Sequence, residues 1–564
     1  MTRFVINRRL AGATFLPLVM GMGLLCPLST SAAPAELVLR NATILTVDTN
    51  LPRAQAAAIS EGRLVFVGNS NGLLPFVGPT TRVLDLTGRT VVPGFIDAHA
   101  HPGPEYPEDS PWASVDCRPD KVRTMDSLVD ALRRKAERTP RGQWVTGSRY
   151  QETKLGRHPT RWDLDRASTN HPILISHSSG HQSVANSLAL QLAKITPDTQ
   201  DPPGGKFVRN ERGEPTGLLQ ERAAGVVRAA GPARTSAPEA ETLAAYRAGF
   251  ERYLRRGVTG VHVAGTSASG AERLELAQTP DLPLRLYIML SEGSLDEAIR
   301  RRALTNAAAS QIRHGAIKIF HGNSVSGQTC WLSRPYANRP DYFGVPPARS
   351  QEALNELIRK IHHAGLQVCV HSNGDREIDM VLSAFEQVLR NEPRPNHRHR
   401  IEHCSVVTRE LLQRIKNLGL VVVPHSYLWE HGDKMEAYGE WRWDWMHPAR
   451  SLLDLGIPMA AHSDDPVAVS HPLLRIQDLV TRTSAEGKVY GARQRITVEE
   501  ALRAWTLGGA YAAFEETDTG SITIGKRADF VVLSDDPTRV QPDRIKDIAV
   551  EMTFIGGRQI MFGK

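Results

Sequence analysis

The chain has 564 residues, which is too long for one ordinary domain and predicts two to four. Apolar residues make up 41% and charged residues 23%, as is normal for a soluble globular protein. The net charge of +7 includes no long block of lysine or arginine, so composition gives little support to nucleic-acid binding.

The first 33 residues are typical of an export signal. Arg3, Arg8 and Arg9 precede an uncharged stretch at 10–28, and small residues follow at 29–35. A signal peptidase cleaves after such residues, so we expect a periplasmic or secreted protein without a stable membrane anchor after cleavage. The alternative is an uncleaved anchor, because the apolar stretch is nearly long enough to span a bilayer. The paired arginines leave both the general and the twin-arginine export routes open.

Short alternating strands are predicted at both ends of the remaining chain. Residues 34–90 contain segments such as 37–39 and 64–67 between glycines, and residues 511–564 contain a similar segment at 528–533. Alternation of apolar and polar residues indicates strands with one buried face. We therefore expect one small β-sandwich assembled from the two ends of the chain.

An apolar stretch at 91–101 ends in two histidines, His99 and His101. Residues two apart in a strand point to the same face, so both imidazoles leave the strand end side by side. Such a pair can bind one metal ion, and imidazole suits zinc, iron and nickel alike. By itself, this spacing is also typical of two solvated or hydrogen-bonded histidines.

More chain follows this histidine pair than one helix and one strand require. The segment at about 104–245 holds its own apolar strand at 173–175 and a turn rich in proline and glycine at 201–205. We interpret the segment as an insertion over the mouth of the surrounding fold. It carries His177 and His181, which are candidates to contact substrate.

The middle of the chain repeats an amphipathic helix, a glycine, a short apolar strand and a polar residue. Leu354, Ile358 and Ile361 recur at helical spacing, for example, and Gly365 ends that helix. Apolar strands alternating with helices indicate a parallel sheet covered by helices. We expect an α/β fold, a (β/α)8 TIM-like barrel over 91–510, whose active site lies at the carboxyl ends of the strands. The eight predicted strands are 91–101, 257–263, 284–290, 316–320, 367–371, 400–403, 420–423 and 459–464.

Two helix starts are predicted from capping residues. Thr408 precedes one apolar-periodic segment, and Thr497 with Glu500 forms a capping box before a helix at 501–507. In each case the threonine hydroxyl is expected to accept a hydrogen bond from an amide of the first turn.

Side chains with ligand chemistry stand at or near the predicted strand ends. Because the carboxyl ends of parallel barrel strands meet at one rim, we expect these side chains to converge. His262, His321 and His425 also lie near strand ends, where they are candidates either to line the pocket or to form hydrogen bonds at the surface. The principal candidates are His99, His101, Lys318, His371, His403 and Asp464.

Several segments match the pattern of a known family. Residues 94–101 read Gly-Phe-Ile-Asp-Ala-His-Ala-His, and residues 520–529 read Gly-Ser-Ile-Thr-Ile-Gly-Lys-Arg-Ala-Asp. These segments resemble the amidohydrolase superfamily of metal-dependent hydrolases. Segments at 179–190, 201–205 and 463–467 are similar to its amidohydrolase 3 branch, which contains N-substituted formamide deformylases. The resemblance covers essentially the whole chain after the leader.

The resemblance implies a metal centre. One divalent ion would be bound by His99, His101 and Asp464, and zinc is the expected metal. A second ion would be bound by His371 and His403. A site that holds a single ion is the alternative.

The resemblance also implies that Lys318 carries carbon dioxide as a carbamate that bridges both ions. A bare ammonium cannot ligate a metal, whereas a carbamate reverses its charge and supplies two oxygens. The alternative is an unmodified Lys318 paired with an acid.

The implied reaction is hydrolysis of an amide, formamide or ring carbon–nitrogen bond in a small-molecule substrate. A bound cation lowers the pKa of its water and polarises the substrate carbonyl. Asp464 would accept the proton of that water and pass it to the leaving nitrogen. Deamination or ester hydrolysis at the same site is one alternative, and a non-catalytic periplasmic binding or regulatory protein is another. A homo-oligomer is compatible with the sequence.

Two further positions concern the substrate. After its lysine, the branch carries an aromatic residue, a small residue and then Asp-Gly, whereas this chain has Gly322 where the aspartate is expected. That loop borders the expected pocket, so the difference concerns the substrate and leaves the metal ligands unaffected. Arg482 is a candidate to bind a substrate carboxylate, with an ion pair as the alternative.

Overall fold

The computed structural model describes residues 33–233, 236–305 and 311–562, the side chains of 303–305 excepted. The export signal proposed for residues 1–33 falls outside the described residues, apart from its last position, and it stays a prediction. Within the described ranges, no helix combines the length and the apolar character needed to cross a membrane.

Seven parallel strands form the central sheet, and each pairs with the strand before it in this set. Most of their residues are buried, as expected for a parallel sheet covered on both faces. The strands are β1 (Phe95–Ala100), β2 (Val258–Thr266), β3 (Arg285–Ser291), β4 (Ile312–Phe320), β5 (Gln367–Ser372), β6 (Arg400–His403) and β7 (Val421–Pro424).

The segment 458–464 closes this sheet into a barrel between β7 and β1. On one side the Ala460 amide donates to β7 at 3.1 Å, and on the other the Ala98 amide donates to the Ala461 carbonyl at 3.2 Å. The Ala461 amide instead donates to Ala504 outside the sheet, so the segment pairs only through isolated bridges. The predicted (β/α)8 barrel is confirmed, with its eighth strand present as this irregular segment.

Helices follow the barrel strands and pack against them. Leu354, Ile358 and Ile361 are all buried, as their spacing predicts. Thr408 and Thr497 each accept a hydrogen bond from an amide of the first turn, so both predicted caps are confirmed. The helices around the barrel are Glu239–Arg255, Ala268–Ala277, Leu295–Thr305, Gln351–His363, Asp375–Asn391, Arg409–Asn417, Ala449–Asp454, Pro472–Thr481, Val498–Arg503 and Gly509–Ala512.

A separate six-stranded sheet lies between β1 and the first barrel helix, and it has its own apolar clusters. A hydrogen bond from Gln182 Nε2 to the Gly327 carbonyl, 2.9 Å long, joins it to the chain that follows β4. Its strands are Val115–Asp116, Val145–Tyr150, Ile173–His177, Gln182–Ala185, Gly205–Arg209 and Pro215–Glu221, and its helices are Met125–Glu137, Glu152–Leu155, Arg161–Asp165, Ser187–Leu192 and Ala223–Ala229.

The two ends of the chain share a sheet. Strand Thr90–Pro93 pairs antiparallel with Phe530–Leu533, and a common apolar cluster packs residues from both ends. The six-stranded sheet also contains Thr43–Leu45, Arg53–Ala54, Val550–Ile555 and Arg558–Gln559, and a four-stranded sheet contains Leu37–Arg40, Ala56–Ser60, Arg63–Gly68 and Arg82–Asp85.

Candidate metal centre

Two histidines and one carboxylate converge where β1 meets the closing segment. The Asp464 amide donates to the His99 carbonyl at 3.0 Å, which brings the two side chains to the same rim. Asp464 Oδ1 lies 3.3 Å from His101 Nε2 and 3.5 Å from His99 Nε2. The three ligand atoms lie within 4.8 Å of one another. The structure therefore brings together the three residues predicted for the first ion.

The donor atoms of this group fit a divalent cation. Asp464 Oδ1 is buried and has no hydrogen-bond partner among the described residues, which is costly for a carboxylate oxygen unless a cation or water satisfies it. Burial lowers the pKa of His99 well below its usual value, so its ring is neutral and able to act as a ligand. Two imidazole nitrogens and one carboxylate oxygen form a donor set typical of zinc and related metals.

A buried carboxylate orients His99, and the sequence analysis did not single it out. Glu402 Oε2 accepts a hydrogen bond from His99 Nδ1 at 2.5 Å, which leaves Nε2 as the free ligand atom. Arg400 holds Glu402 in turn, with bonds of 2.7 Å and 2.8 Å to the two carboxylate oxygens. The sequence does contain a signal for this pair. Arg400 and Glu402 are charged residues two positions apart in an apolar strand, so both side chains face the same side, here the barrel interior.

Lys318 lies at the centre of the barrel on β4. Its side chain is fully buried, and its Nζ lies 3.4 Å from His99 Nε2. Among the described residues, no carboxylate lies within ion-pair distance of Nζ, in contrast to the predicted alternative of a lysine paired with an acid. Burial lowers the pKa of Lys318 to about 8. Burial therefore raises the neutral fraction of this amine above that of an exposed lysine.

His371 and His403 lie beside the first group. Their ring centroids are 4.5 Å apart, and the His403 centroid is 4.6 Å from that of His99. His371 Nε2 donates to the Asn323 carbonyl at 3.0 Å, which leaves Nδ1 for a metal. His403 and Asp464 have φ angles of 71° and 62°. Non-glycine residues in this left-handed region store strain, which is common at functional sites.

Two more histidines surround His403. His403, His425 and His462 are buried, and one ring nitrogen of each lies within 4.8 Å of the others. However, the His403 and His425 rings stack with centroids 4.2 Å apart and planes at 14°. In-plane lone pairs of stacked rings run side by side, so this arrangement suits packing better than binding of one shared ion. His425 is one of the histidines predicted near strand ends, whereas His462 is not among the predicted site residues.

The other two histidines predicted near strand ends are also buried. His262 Nδ1 lies 3.0 Å from Arg400 Nη1 and accepts its hydrogen bond, so this residue supports the charged pair beneath the centre. Neither ring nitrogen of His321 has a hydrogen-bond partner within the part of the chain that the structure describes.

A cavity of about 300 Å³ opens onto the centre, and residues of the inserted sheet form one of its walls. His101, His371, His403 and Asp464 line it from the barrel, and His177, His181 and Arg149 line it from the insertion.

The two insertion histidines occupy different positions in this wall. Both ring nitrogens of His177 are engaged, with Ser179 Oγ at 2.9 Å and Glu152 Oε2 at 2.6 Å. His181 Nδ1 donates to Glu221 Oε2 at 2.6 Å, and its ring lies 5.1 Å from that of His371. His181 therefore has its second nitrogen available to a substrate, whereas His177 braces the wall.

Arg482 lies outside the lining of this cavity. It is buried, and its guanidinium donates to the backbone carbonyls of Tyr490, His447 and Met446 at 3.0, 3.1 and 3.0 Å. This geometry assigns Arg482 a structural role, which corrects the predicted contact with a substrate carboxylate. The sequence could not indicate this role, because the three carbonyls belong to loop residues whose spacing from Arg482 forms no recognisable pattern.

Asp465, which neighbours Asp464 in sequence, points away from the centre. It accepts hydrogen bonds from Arg252 Nη2 at 2.7 Å and from the Tyr253 hydroxyl at 2.8 Å. Of the two adjacent aspartates, only Asp464 is placed to act at the metal centre.

Comparison with known proteins gives the same family that the sequence motifs resemble. A family model described as the amidohydrolase family matches residues 82–561. The chain is 30% identical to an N-substituted formamide deformylase from Arthrobacter pascens, covering 93% of this chain and 97% of the relative. It is also 30% identical to the putative amidohydrolase YtcJ of Bacillus subtilis, over 91% and 96% of the two chains. The crystal structure of an uncharacterized metal-dependent hydrolase from Pyrococcus horikoshii OT3 superposes with a TM-score of 0.68 at 24% identity, over 90% and 99% of the chains, which shows the same fold.

Proposed function

Because the chain belongs to the amidohydrolase family, we propose that it is a metal-dependent hydrolase of carbon–nitrogen bonds other than peptide bonds. Non-peptide amides and N-substituted formamides are the proposed substrates, as the similarity to a formamide deformylase suggests. The observation that carries the proposal is the convergence of His99, His101 and Asp464, whose buried Oδ1 has no hydrogen-bond partner among the described residues. This group borders a cavity of a size that suits a small molecule.

We propose that the centre holds divalent metal, with zinc as the expected ion. His99, His101 and Asp464 would hold one ion, and His371 with His403 would hold a second. When bound, such a cation supplies an activated water and polarises the substrate carbonyl.

A carbamate on Lys318 is also proposed, because the buried amine has a lowered pKa and its Nζ lies 3.4 Å from His99 Nε2, with no carboxylate of the described residues in ion-pair distance. The neutral amine would attack carbon dioxide, so that an N–C bond forms, one C=O bond opens to a carboxylate oxygen and the proton lost from nitrogen passes to solvent. The carbamate would then offer oxygens that can ligate metal. Labelled bicarbonate tests this assignment: a carbamate carbon signal should appear in the native protein and be absent from Lys318→Arg.

Asp464 is the proposed proton carrier. Burial alone would raise the pKa of Asp464, but the adjacent His101 outweighs it and the pKa lies below its usual value. The side chain is therefore a carboxylate at neutral pH. It can accept a proton from the attacking water and then donate it to the leaving nitrogen, as a general base followed by a general acid.

The test combines metal analysis with a substrate panel. Metal content and turnover of N-substituted formamides, amides and esters are measured for the native protein and Asp464→Asn. We expect divalent metal in the native protein and a loss of kcat of about 10²–10⁴-fold in the variant. Asp454→Asn, an exposed carboxylate paired with Arg450, is the matched control and should keep full activity.

Full turnover by metal-free protein, or by Asp464→Asn, would overturn the proposal. Faster turnover of esters than of amides would instead favour the alternative hydrolase. Metal binding with no turnover of any substrate class would favour the binding or regulatory protein.

A further inference from the structure

Glu377 is a fully buried carboxylate next to the metal centre, and the mechanism above does not use it. It is the third residue of helix Asp375–Asn391. Its two oxygens are surrounded by backbone amides, so four N–H groups share one carboxylate. The Asn323 and Trp331 amides donate to Oε1 at 3.1 and 2.8 Å, and the Asn373 and Gly374 amides donate to Oε2 at 3.0 and 2.8 Å.

These four bonds join two loops at the rim of the barrel. Asn323 and Trp331 lie in the loop after β4, and Asn373 and Gly374 lie in the turn after β5. The chain segments are distant in sequence, and the carboxylate is their shared acceptor. Removing it would leave buried amides without partners, which is costly.

The bond to Asn323 leads directly to a proposed metal ligand. The Asn323 carbonyl lies 3.0 Å from His371 Nε2 and 2.7 Å from Asn373 Nδ2, which itself lies 3.2 Å from His371 Nε2. Because a carbonyl oxygen only accepts, the shorter of the two contacts of Nε2 is a hydrogen bond when Nε2 carries the ring proton. Since Nε2 carries the proton in this bond, Nδ1 is the atom of His371 that can bind metal. Glu377 thus fixes Asn323 through its backbone amide. The carbonyl of Asn323 in turn sets the tautomer and orientation of His371.

Gly322, which precedes Asn323, leaves room in the loop for the Glu377 carboxylate. Gly322 has a φ of +108°, and a Cβ built there would lie 2.3 Å from Glu377 Oε2 and 2.6 Å from Cδ. The space of a side chain at position 322 is therefore already filled by the Glu377 carboxylate. Gly322 itself contributes no side chain there, so the carboxylate in this space comes from the helix.

We propose that Glu377 is a positioning residue that orients His371 through Asn323, and that its carboxylate occupies the space a side chain at position 322 would need. The inference rests on the proposed function, since His371 is a metal ligand only there.

A simpler role would be capping of helix Asp375–Asn391. A glutamate at the third helical position commonly accepts the amide of the residue before the helix, and the bonds from Asn373 and Gly374 are of this kind. The bonds from Asn323 and Trp331 come from a different loop and add nothing to a cap. The two roles differ in their effect on metal affinity, because a cap affects stability alone.

The first experiment titrates metal-free protein with Co²⁺ and follows its absorption spectrum. Glu377→Gln keeps the shape but turns an NH₂ group toward amide donors, so we expect the affinity of the His371-dependent site to fall about 10–100-fold. Glu386→Gln, on the same helix and paired with Arg414 at the surface, is the control and should bind like the native protein. Native affinity in both Glu377→Gln and Glu377→Ala would overturn the proposal.

The second experiment exchanges the two positions. Gly322→Asp places a side chain at a φ of +108°, which strains the backbone equally in the single and the double variant, and in the single variant it also forces two carboxylates into one space. Glu377→Ala alone removes the acceptor. In the double variant Gly322→Asp/Glu377→Ala, the new carboxylate has the vacated space, so we expect Co²⁺ affinity at least about 10-fold above that of Gly322→Asp. A double variant no better than Gly322→Asp would contradict the exchange of positions.

Hydrogen exchange separates this proposal from the proposed function, because it needs no metal. In metal-free protein, Glu377→Gln should speed exchange in peptides covering 321–333 and 371–376 relative to Glu386→Gln. Faster exchange only at 373 and 374, with native Co²⁺ affinity, would reduce Glu377 to a helix cap. If the native protein bound no Co²⁺, the proposed function would fail, and the exchange at 323 and 331 would still decide whether Glu377 holds the loop.

Discussion

The chemistry of individual side chains in this protein depends on the groups that fix their orientation. His99 has the residue type and the strand position expected of a metal ligand. The hydrogen bond from its Nδ1 to Glu402 determines that Nε2 is the nitrogen left to bind metal. Arg400 holds Glu402, and all three side chains are fully buried. The same reasoning applies to Arg482, whose three carbonyl contacts define a role that its charge alone does not reveal.

Glu402→Gln is predicted to weaken metal binding. The amide keeps the size of the side chain but cannot accept charge-assisted bonds from both His99 and Arg400, so His99 loses its fixed tautomer. We expect metal affinity or activity to fall about 10–100-fold. Competition with a chelator measures the affinity, and Asp454→Asn is the control. An unchanged affinity would show that Glu402 serves the barrel core alone.

Arg482→Lys is predicted to affect stability and not substrate binding. A lysine cannot reach three separate carbonyls, and hydrogen bonds from charged groups are each worth about 1.5–3 kcal/mol, so we expect the free energy of unfolding to fall by about 2 kcal/mol. Chemical denaturation and KM measure the two effects. Arg493→Lys, at an exposed position, is the control. A raised KM with native stability would restore the role in substrate binding.

At the level of elements, periodicity and capping residues predicted most of the barrel. Most of the apolar strands and the helices between them lie where they were predicted, because burial on both faces requires continuous apolar strands. The predicted strand 91–101 is divided instead: Thr90–Pro93 pairs with Phe530–Leu533, and only Phe95–Ala100 belongs to the barrel. The closing segment is a second exception. Its Ala461 amide bonds to Ala504 and not to β7, and this partner lies beyond the reach of local pattern analysis.

Thr497→Ala is predicted to destabilise the helix Val498–Arg503. Thr497 Oγ1 accepts the Glu500 amide at 3.2 Å, and Glu500 Oε2 accepts the Thr497 amide at 2.8 Å. Loss of the cap should cost about 1 kcal/mol of unfolding free energy. Thr497→Ser keeps the hydroxyl and should retain most of the stability. Equal losses in both variants would mean that the methyl group, not the cap, matters.

For the molecule as a whole, a buried ion pair joins the barrel to the sheet formed by both ends of the chain. Arg285 on β3 donates to the two Asp529 oxygens at 2.5 and 3.0 Å. The Gly556 amide also donates to Asp529 Oδ1 at 2.7 Å. The side chains of this pair are only 11% and 5% exposed, so the two parts of the fold share a desolvated contact.

Asp529→Ala is predicted to destabilise the whole protein. Removing one partner leaves the Arg285 charge buried without compensation, which costs about 3–5 kcal/mol. Denaturant unfolding measures the change, with the exposed Asp535→Ala as control. A loss below about 1 kcal/mol would show that water reaches Arg285 and that the contact is not desolvated.

The sequence by itself determined the barrel, the family and the residue types at the strand ends, because polarity and spacing along the chain encode which positions are buried. Only the tertiary structure decided how those residues are held. His99 and Glu402 are 303 positions apart, and Gly322 meets Glu377 across two loops. Such contacts depend on through-space distances of a few ångströms, which no local pattern specifies. For the same reason, the structural role of Arg482 could be seen only in the folded chain, where three backbone carbonyls lie around its guanidinium.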